Sequence, residues 1–432
     1  MTTKQFRGLR PLMKSIPSIL NVSLGLSLIM FTGGWSSDSW AWGERGHNTV
    51  GYTAARLIDK LSTKDEHKKL GPYFGARTLM LGHLSNIPDV SWKDRRRPSV
   101  VELNNPTHYF DAEYIVGPPT PKMSDYLDKI RNIDPNLETF LSTYDQKPNL
   151  LNHSFSINIA KDVGSAPFRI AQLHKMMTAA FKCASQKVEN KGPGTDRPFR
   201  EPIRNAKYEC SSETTRLEDL AAAIEIGGVM GHFVGDLAQP YHTTVDHDGY
   251  ARGQGGIHGY FETFLLQYID DRLLADVRAR ASDPQFAKQV FNKQLKVDVK
   301  SDAPIAKIMF HLAADSYGLI EQLATIDKNK IVLSAGDKIA FGEKSNHGFK
   351  GAEAKRLPFD DPKAAKVLRP LIVDRLATAA LILSELWLRA WREGGSPDVR
   401  DVNTIVVPYP VDVPFILPPK ALIGDAYDKF KN

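Results

Sequence analysis

Apolar side chains recur every three or four residues in several long stretches of this chain, which is the period of an α-helix. In residues 47–61, for example, Val50, Ala54, Leu57 and Ile58 fall on one helical face. Strand-type alternation of apolar and polar residues is scarce. The pattern therefore predicts an all-α fold whose main helices cover residues 47–61, 214–239, a stretch that begins near His258, about 304–325, and 363–393.

The segments between these helices are rich in turn-forming residues. Residues 115–165 carry many Pro, Asp and Asn, and residues 190–212 contain several Gly, Pro and Asn. We expect a loop-rich insertion at about 115–212 inside one catalytic domain, residues 42–394. Six prolines in residues 395–420 predict that the C-terminal tail, residues 395–432, is extended and lies on the surface.

The N-terminal residues 1–41 have the pattern of a secretory signal peptide. Four basic residues precede an apolar run that starts at Ile16, and Ser39 and Ala41 are the small residues expected before a cleavage point. We expect cleavage after Ala41 and a secreted or periplasmic protein, with an uncleaved N-terminal anchor as the alternative. Cleavage would lower the net charge from +6 to +3, which is compatible with anionic substrates.

Beyond residue 41, no run of 18 or more uncharged apolar residues predicts a membrane-spanning helix. The chain contains two cysteines, Cys183 and Cys210. In an exported protein they could form one disulfide, and the alternative is two free thiols. Two cysteines are too few for a thiolate zinc site.

Histidines and acidic residues recur at spacings that suit metal binding. His232 and Asp236 are four residues apart on a predicted helix, as are His258 and Glu262, so each pair shares a helix face. His242 lies between the pairs. One such pair is typical of a solvated surface contact. Two pairs within 31 residues, the first in an apolar segment, indicate a buried site in which metal satisfies the polar groups.

Further ligand types occur upstream. Trp42 would begin the mature chain, and its free amine and carbonyl oxygen could chelate a cation together with His47. The motif NPTHYFD supplies His108 and Asp111, and SNIPDVSWKD supplies Asp89 and Asp94. Asp94 lies beside three arginines, so Asp89, in the more apolar surroundings, is the favoured ligand.

The combination W-x4-H, H-x3-D-x5-H and H-x3-E resembles the zinc-dependent phospholipase C and S1/P1 nuclease superfamily over the range from Trp42 to Glu262. The short loop between His242 and His258, and Glu262 as the last ligand, resemble bacterial phospholipase C, whereas the start WGERGH is closer to the nucleases. The resemblance implies a multi-helix fold with three zinc ions. One zinc would be held by Trp42, His47 and Asp236, the second by Asp89, His108, His232 and Asp236, and the third by His242, His258 and Glu262.

Three functions follow as hypotheses. The first is a phospholipase C that hydrolyses phospholipids such as phosphatidylcholine to diacylglycerol and a phosphorylated head group at a membrane or micelle surface. The second is a single-strand nuclease or 3′-nucleotidase, and the third is an inactive zinc-stabilised binding module. Asp89 is expected to orient or deprotonate the attacking water, and no stable protein partner is inferred. The residues expected to line the substrate cleft are Tyr109, Phe110, Asp111 and His247.

Overall fold

The computed structural model describes residues 42–187, 206–343, 349, 351–400, 413–424 and 426, so the predicted signal peptide lies outside the described residues. The fold is all-α, as the periodicity predicted. In chain order the α-helices are α1 (Gly43–Leu61), α2 (Lys64–Gly75), α3 (Thr78–Leu84), α4 (Ile87–Val90), α5 (Pro98–Asn104), α6 (Glu113–Val116), α7 (Met123–Arg131), α8 (Leu137–Tyr144), α9 (Ala166–Ser185), α10 (Arg216–Ala238), α11 (Ile257–Gly259), α12 (Leu265–Tyr268), α13 (Leu273–Ala281), α14 (Pro284–Gln289), α15 (Ile305–Tyr317), α16 (Ile320–Ile326), α17 (Pro362–Glu393) and α18 (Lys420–Ile423).

Shorter elements complete the description. Single 3-10 or π turns occur at Asn105–Thr107, Ile159–Val163, Pro240–Thr243, Tyr250–Arg252, Tyr260–Phe264, Val290–Gln294 and Asp327–Ile331. Two short strands, β1 (Val332–Ser334) and β2 (Lys355–Arg356), pair antiparallel, with Val332 opposite Arg356.

Helix α10 lies at the centre of the fold. A capping box formed by Thr215 and Glu218 starts it, and Pro240 follows its end, where a proline cannot continue the hydrogen-bond ladder. It packs against α9, α17, α3, α1 and α15. Among the described residues it is the one helix long and apolar enough to cross a membrane, but it is buried within the protein. Apolar residues on every side are typical of such a core helix.

Small residues let α3 approach α10 closely. A Cβ atom at Gly228 would lie 2.4 Å from Leu84 Cβ, and one at Gly231 would lie 2.6 Å from Ser85 Oγ. Both positions therefore need glycine, because any side chain would push the helices apart. This close packing brings the backbone of Ser85 to the helix turn that carries the first predicted ligands.

The segment predicted as a loop-rich insertion contains a major helix. Residues 115–165 are short helices and turns, as expected, but α9 runs for 20 residues and packs along α10. The prediction was wrong there because α9 is apolar on more than one side and so lacks a clear helical stripe. Cys183, at the end of α9, forms a disulfide with Cys210, which confirms the proposed bridge.

The C-terminal tail is not confined to the surface, although we predicted a surface position. Residues 401–412 lie outside the described residues. After them, Val413, Ile416 and Leu417 are buried, and α18 contacts α8. Residues 413–419 form neither helix nor strand, as their prolines predict, but several of their apolar residues face inward.

Candidate metal centre

Helix α10 directs His232 and Asp236 into the interior one turn apart, and both are fully buried. His232 Nδ1 lies 2.8 Å from the carbonyl oxygen of Ser85. Because a carbonyl can only accept, Nδ1 carries the proton and Nε2 keeps its lone pair. This orientation of the ring is typical of metal-binding histidines, whose second nitrogen is held by a backbone carbonyl or carboxylate.

The first group consists of His47, His232 and Asp236, whose ligand atoms all lie within 4.8 Å of one another. His47, on α1, places Nε2 3.3 Å from Asp236 Oδ1 and stacks on the His232 ring at 3.9 Å between centroids. Trp42 is buried beside this group, and its indole nitrogen donates to the carbonyl of Gly235 at 2.6 Å. The residue predicted to follow the cleavage point is thus anchored next to Asp236.

The second group consists of Asp89, His108 and His232. Asp89 Oδ1 lies 3.5 Å from His232 Nε2 and 3.9 Å from His108 Nδ1, and His108 Nδ1 lies 2.9 Å from Asp236 Oδ2. Asp94, the alternative ligand, instead accepts hydrogen bonds from the Nε and Nη2 atoms of Arg96 on the surface. The geometry therefore brings Asp89, and not Asp94, into this group.

The third group consists of His242, His258 and Glu262. His258 Nε2 lies 2.8 Å from Glu262 Oε1, and His242 Nε2 lies 3.4 Å from Glu262 Oε2. Nδ1 of His242 lies 2.9 Å from the carbonyl of His108, and Nδ1 of His258 lies 2.8 Å from the carbonyl of His247. Both Nε2 atoms consequently face the carboxylate, which is also held by the side-chain amide of Gln239 at 2.7 Å.

The electrostatics of these groups favour a bound cation. Burial lowers the pKa of His108 and His232 well below the ordinary histidine value, so both imidazoles are neutral, which is the form that binds metal. Burial also raises the pKa of Asp236. In the third group burial opposes ionisation, but the His258 and His242 imidazoles lower the pKa of Glu262 to about 2.

The donor atoms are of types that bind metal ions, and some of them lack a hydrogen-bond partner among the described residues. Within the described part of the chain, His108 Nε2 and Asp236 Oδ1 have no hydrogen-bond partner, although His47 Nε2 lies 3.3 Å from Asp236 Oδ1. A buried polar atom left in this way costs about 1–3 kcal/mol. Imidazole nitrogen and carboxylate oxygen are common ligands of divalent transition metals. These three buried groups could hold metal ions.

The four residues predicted to line the cleft have different surroundings. His247 is half-buried beside the third group, 6.0 Å from the His258 ring, and the Tyr109 hydroxyl donates to the carbonyl of Lys161 at 2.8 Å. The ring of Phe110 is fully buried and packs on Phe310 in the hydrophobic core, rather than on the surface of a cleft. Asp111 is also fully buried.

Lys93 was not anticipated by the sequence analysis. Its ammonium group lies 2.6 Å from Asp89 Oδ1 and is mostly buried. The four-residue spacing between Asp89 and Lys93 was the available signal, since residues at that spacing meet on a helical turn. The Lys93 ammonium group is therefore a positive charge beside the second group.

Glu113 is a second residue that was missed. Its buried carboxyl accepts hydrogen bonds from Thr244 Oγ1 at 2.6 Å and from the Val245 backbone N–H at 3.2 Å. The backbone N–H of Phe110 donates to the carbonyl of His242 at 2.8 Å, so the two ligand-bearing segments are joined at several points. Burial raises the pKa of Glu113 to about 7. No spacing rule links residues 131 or 132 positions apart, so the sequence held no signal for this contact.

The other histidines divide between the core and the surface. His311 is buried, and its ring bonds the carbonyl of Leu295, which confirms the expectation of a core histidine. His174 was expected at the surface, but it is 3% exposed and lies on α9. His153 is exposed and lies away from the groups described above.

Comparison of this chain with protein-family models gives no match, and comparison with curated proteins gives none either.

Proposed function

We propose that this chain is a secreted or periplasmic three-zinc phosphodiesterase of the phospholipase C type. The observation that carries the proposal is that three buried ligand groups adjoin one another. His232 belongs to two groups, Asp236 Oδ2 lies 2.9 Å from His108 of the second, and His242 Nδ1 of the third lies 2.9 Å from the carbonyl of His108. Surface ion pairs do not require such burial, whereas closely spaced metal ions that act together on one phosphate do. The disulfide supports an oxidising compartment.

Zinc ions bound there would lower the pKa of a water molecule towards ~7 and stabilise negative charge on a phosphate oxygen. The residues of the chain supply orientation and proton transfer. We assign to Asp89 the role of orienting or deprotonating the attacking water, and Lys93 holds that carboxylate in place. Gln239 fixes Glu262, and the backbone carbonyls of His108 and His247 fix the rings of His242 and His258.

Phospholipid is favoured over nucleic acid as the substrate. A nuclease needs a basic groove that follows the phosphate backbone. The arginine run at residues 95–97 was the best sequence candidate, but Arg96 pairs with Asp94, and Arg97 donates to the carbonyl of Ser91. These local contacts weaken the case for a strand-binding groove. The nuclease activity stays the alternative outcome of the experiment.

The test is a parallel assay of the purified chain starting at Trp42. Phosphatidylcholine in mixed micelles and single-stranded DNA are supplied with zinc, and again after chelation. We expect release of phosphocholine and diacylglycerol, about three zinc ions per chain by elemental analysis, and loss of activity on chelation. Efficient cutting of DNA without release of diacylglycerol would favour the nuclease. Full activity without metal would refute the zinc assignment.

A further inference from the structure

We propose that residues 413–417 of the C-terminal tail position the second group (Asp89, His108 and His232) through contacts with Trp92 and Arg169. We call residues 413–417 the tail strap. The inference rests on the proposed metal centre and assigns a role to a segment whose sequence indicates only an extended chain. Trp92 and Arg169 are positioning residues in this scheme, because they act on the ligands through other side chains.

The tail strap is held by specific hydrogen bonds from the body of the protein. The indole nitrogen of Trp92 donates to the carbonyl of Val413 at 2.8 Å, and the ring of Phe415 packs edge-on against that indole at 5.2 Å. The guanidinium of Arg169 donates to the carbonyls of Ile416 and Leu417. These bonds span about 250 or more positions, so they form only when the tail folds back.

Arg169 depends on the tail strap for its hydrogen bonds. It is fully buried on α9, and burial lowers its pKa to about 9. Among the described residues, the acceptors of its guanidinium are the two strap carbonyls and the side chain of Gln172. Gln172 itself donates to the carbonyl of Leu417 at 2.7 Å. A buried cation needs such acceptors, because a buried charge left without them strongly destabilises the fold.

From Arg169 the contacts lead to two of the ligands. The guanidinium carbon lies 5.4 Å from the centre of the Phe233 ring. That ring meets both His108 and His232 edge-to-face, at 5.3 Å between centroids in each case. A shift of Arg169 would therefore displace Phe233 and alter the support of both imidazoles.

The third ligand is reached through Trp92. Lys93 follows Trp92 directly in the chain, and its ammonium group lies 2.6 Å from Asp89 Oδ1. Asp89 lies on α4, and Trp92 follows that helix less than one helical turn further along the chain. The tail strap thus reaches all three ligands of the second group through other side chains. Partners that orient metal ligands in this way typically contribute 10–100-fold to metal affinity.

The experiment compares two shortened chains. One ends at Arg400 and lacks the tail strap, and the matched control ends at Gly424 and keeps it together with α18. Zinc content is measured by elemental analysis during titration with a competing chelator, and circular dichroism verifies folding. We expect the control to hold three zinc ions, and the shorter chain to hold one of them about 10–100-fold more weakly. Addition of a synthetic peptide of residues 413–424 should restore that ion.

A full-length variant covers the case in which the shorter chain does not fold. Arg169→Met removes the guanidinium but keeps a long apolar side chain, and it should weaken the same zinc ion. Combined with the shorter chain, it should add little, because both changes break one set of contacts. The thermal stability of the metal-free Arg169→Met protein gives a readout independent of activity and should also fall.

Two results would separate failure of this inference from failure of the proposed function. If Arg169→Met and the shorter folded chain keep all three zinc ions at the affinity of the control, the positioning role of the tail strap is refuted while the metal centre stands. If the control itself binds no zinc, the metal centre is wrong and the role of the tail strap falls with it.

Discussion

The first group differs from the third in what holds its ligands. His47 and His232 are carried by long helices, α1 and α10, whose packing sets their positions. The ligands of the third group stand on a 3-10 turn, Pro240–Thr243, and on the short helical segment that includes Tyr260–Phe264. The third group is therefore held mainly by hydrogen bonds, which its histidines donate to backbone carbonyls and which Gln239 donates to Glu262, rather than by packing of long helices.

The second and third groups also differ in charge. His108 and His232 are neutral because burial lowers their pKa, whereas the pKa of His258 is raised by Glu262 in spite of its burial. Without metal the third group thus contains its own ion pair, whereas the second group contains neutral imidazoles, and within the described residues His108 Nε2 has no hydrogen-bond partner. The comparison indicates that metal and proton compete more strongly in the third group.

The largest effect is expected for Asp236→Ala. Asp236 belongs to the first group and touches His108 of the second, so its loss should remove about two of the three zinc ions. Hydrolysis should fall by at least ~100-fold, the upper value for losing an indirect partner. Elemental analysis and the phosphatidylcholine assay measure both. Wild-type turnover would refute the shared role of Asp236.

A suitable control is His153→Asn. His153 is exposed and its φ is 57°, a conformation that asparagine tolerates. His174→Ala, which the sequence alone would suggest as neutral, is unsuitable because it opens a cavity on buried α9.

Glu262→Gln should affect the third group alone. The amide keeps the size of the side chain but removes the charge that pairs with His258. We expect loss of about one zinc ion and retention of the other two, with activity reduced by ~10–100-fold. Loss of all three ions would mean that the groups form one cooperative unit, against the distinction drawn above.

An N-terminal extension tests the first group. If Met-Ala precedes Trp42, the nitrogen of Trp42 becomes an amide and cannot serve as an amine ligand. We expect about one fewer zinc ion per chain, while the side-chain ligands of the other groups still bind. An extended protein with three zinc ions and normal turnover would show that Trp42 acts only as a buried aromatic residue beside Gly235.

Glu113→Leu should loosen the third group without touching a ligand. The substitution leaves the Val245 N–H and the Thr244 hydroxyl without their acceptor, a cost of about 1–3 kcal/mol. Glu113→Gln should restore much of the loss, since its amide oxygen can accept from Val245 while the Thr244 hydroxyl accepts from its NH₂. Thermal denaturation and zinc titration measure the two effects. Equal zinc affinity in the Leu variant would exclude a positioning role.

The smallest effect concerns pH. A raised pKa means that His258 holds its proton to higher pH, so protons displace its metal first as the pH falls. His108 and His232 have lowered pKa values, so they should keep their bound metal to lower pH. Dialysis at stepwise lower pH, from 8 to 5, followed by elemental analysis, should show the third-group ion leaving before the others. Release from the second group first would contradict the order.

The sequence was sufficient to predict the features that depend on spacing along the backbone. The pairs His232/Asp236 and His258/Glu262 lie four residues apart, and one turn of helix brings each pair together whatever surrounds it. The all-α fold and the end of α10 before Pro240 follow from the same local rules. The choice between a disulfide and two thiols stayed open, because it depends on the distance between two distant segments.

Tertiary structure alone decided which distant residues meet. The sequence favoured Asp89 over Asp94 from its apolar neighbours alone, but only packing buries Asp89 beside His232 and leaves Asp94 with Arg96. Phe110 could have faced a substrate, yet it lies in the core. The contacts of Glu113 with Val245 and of Arg169 with Leu417 join segments more than 130 residues apart. Helical periodicity acts over one or two turns, whereas such contacts depend on how whole helices pack around α10.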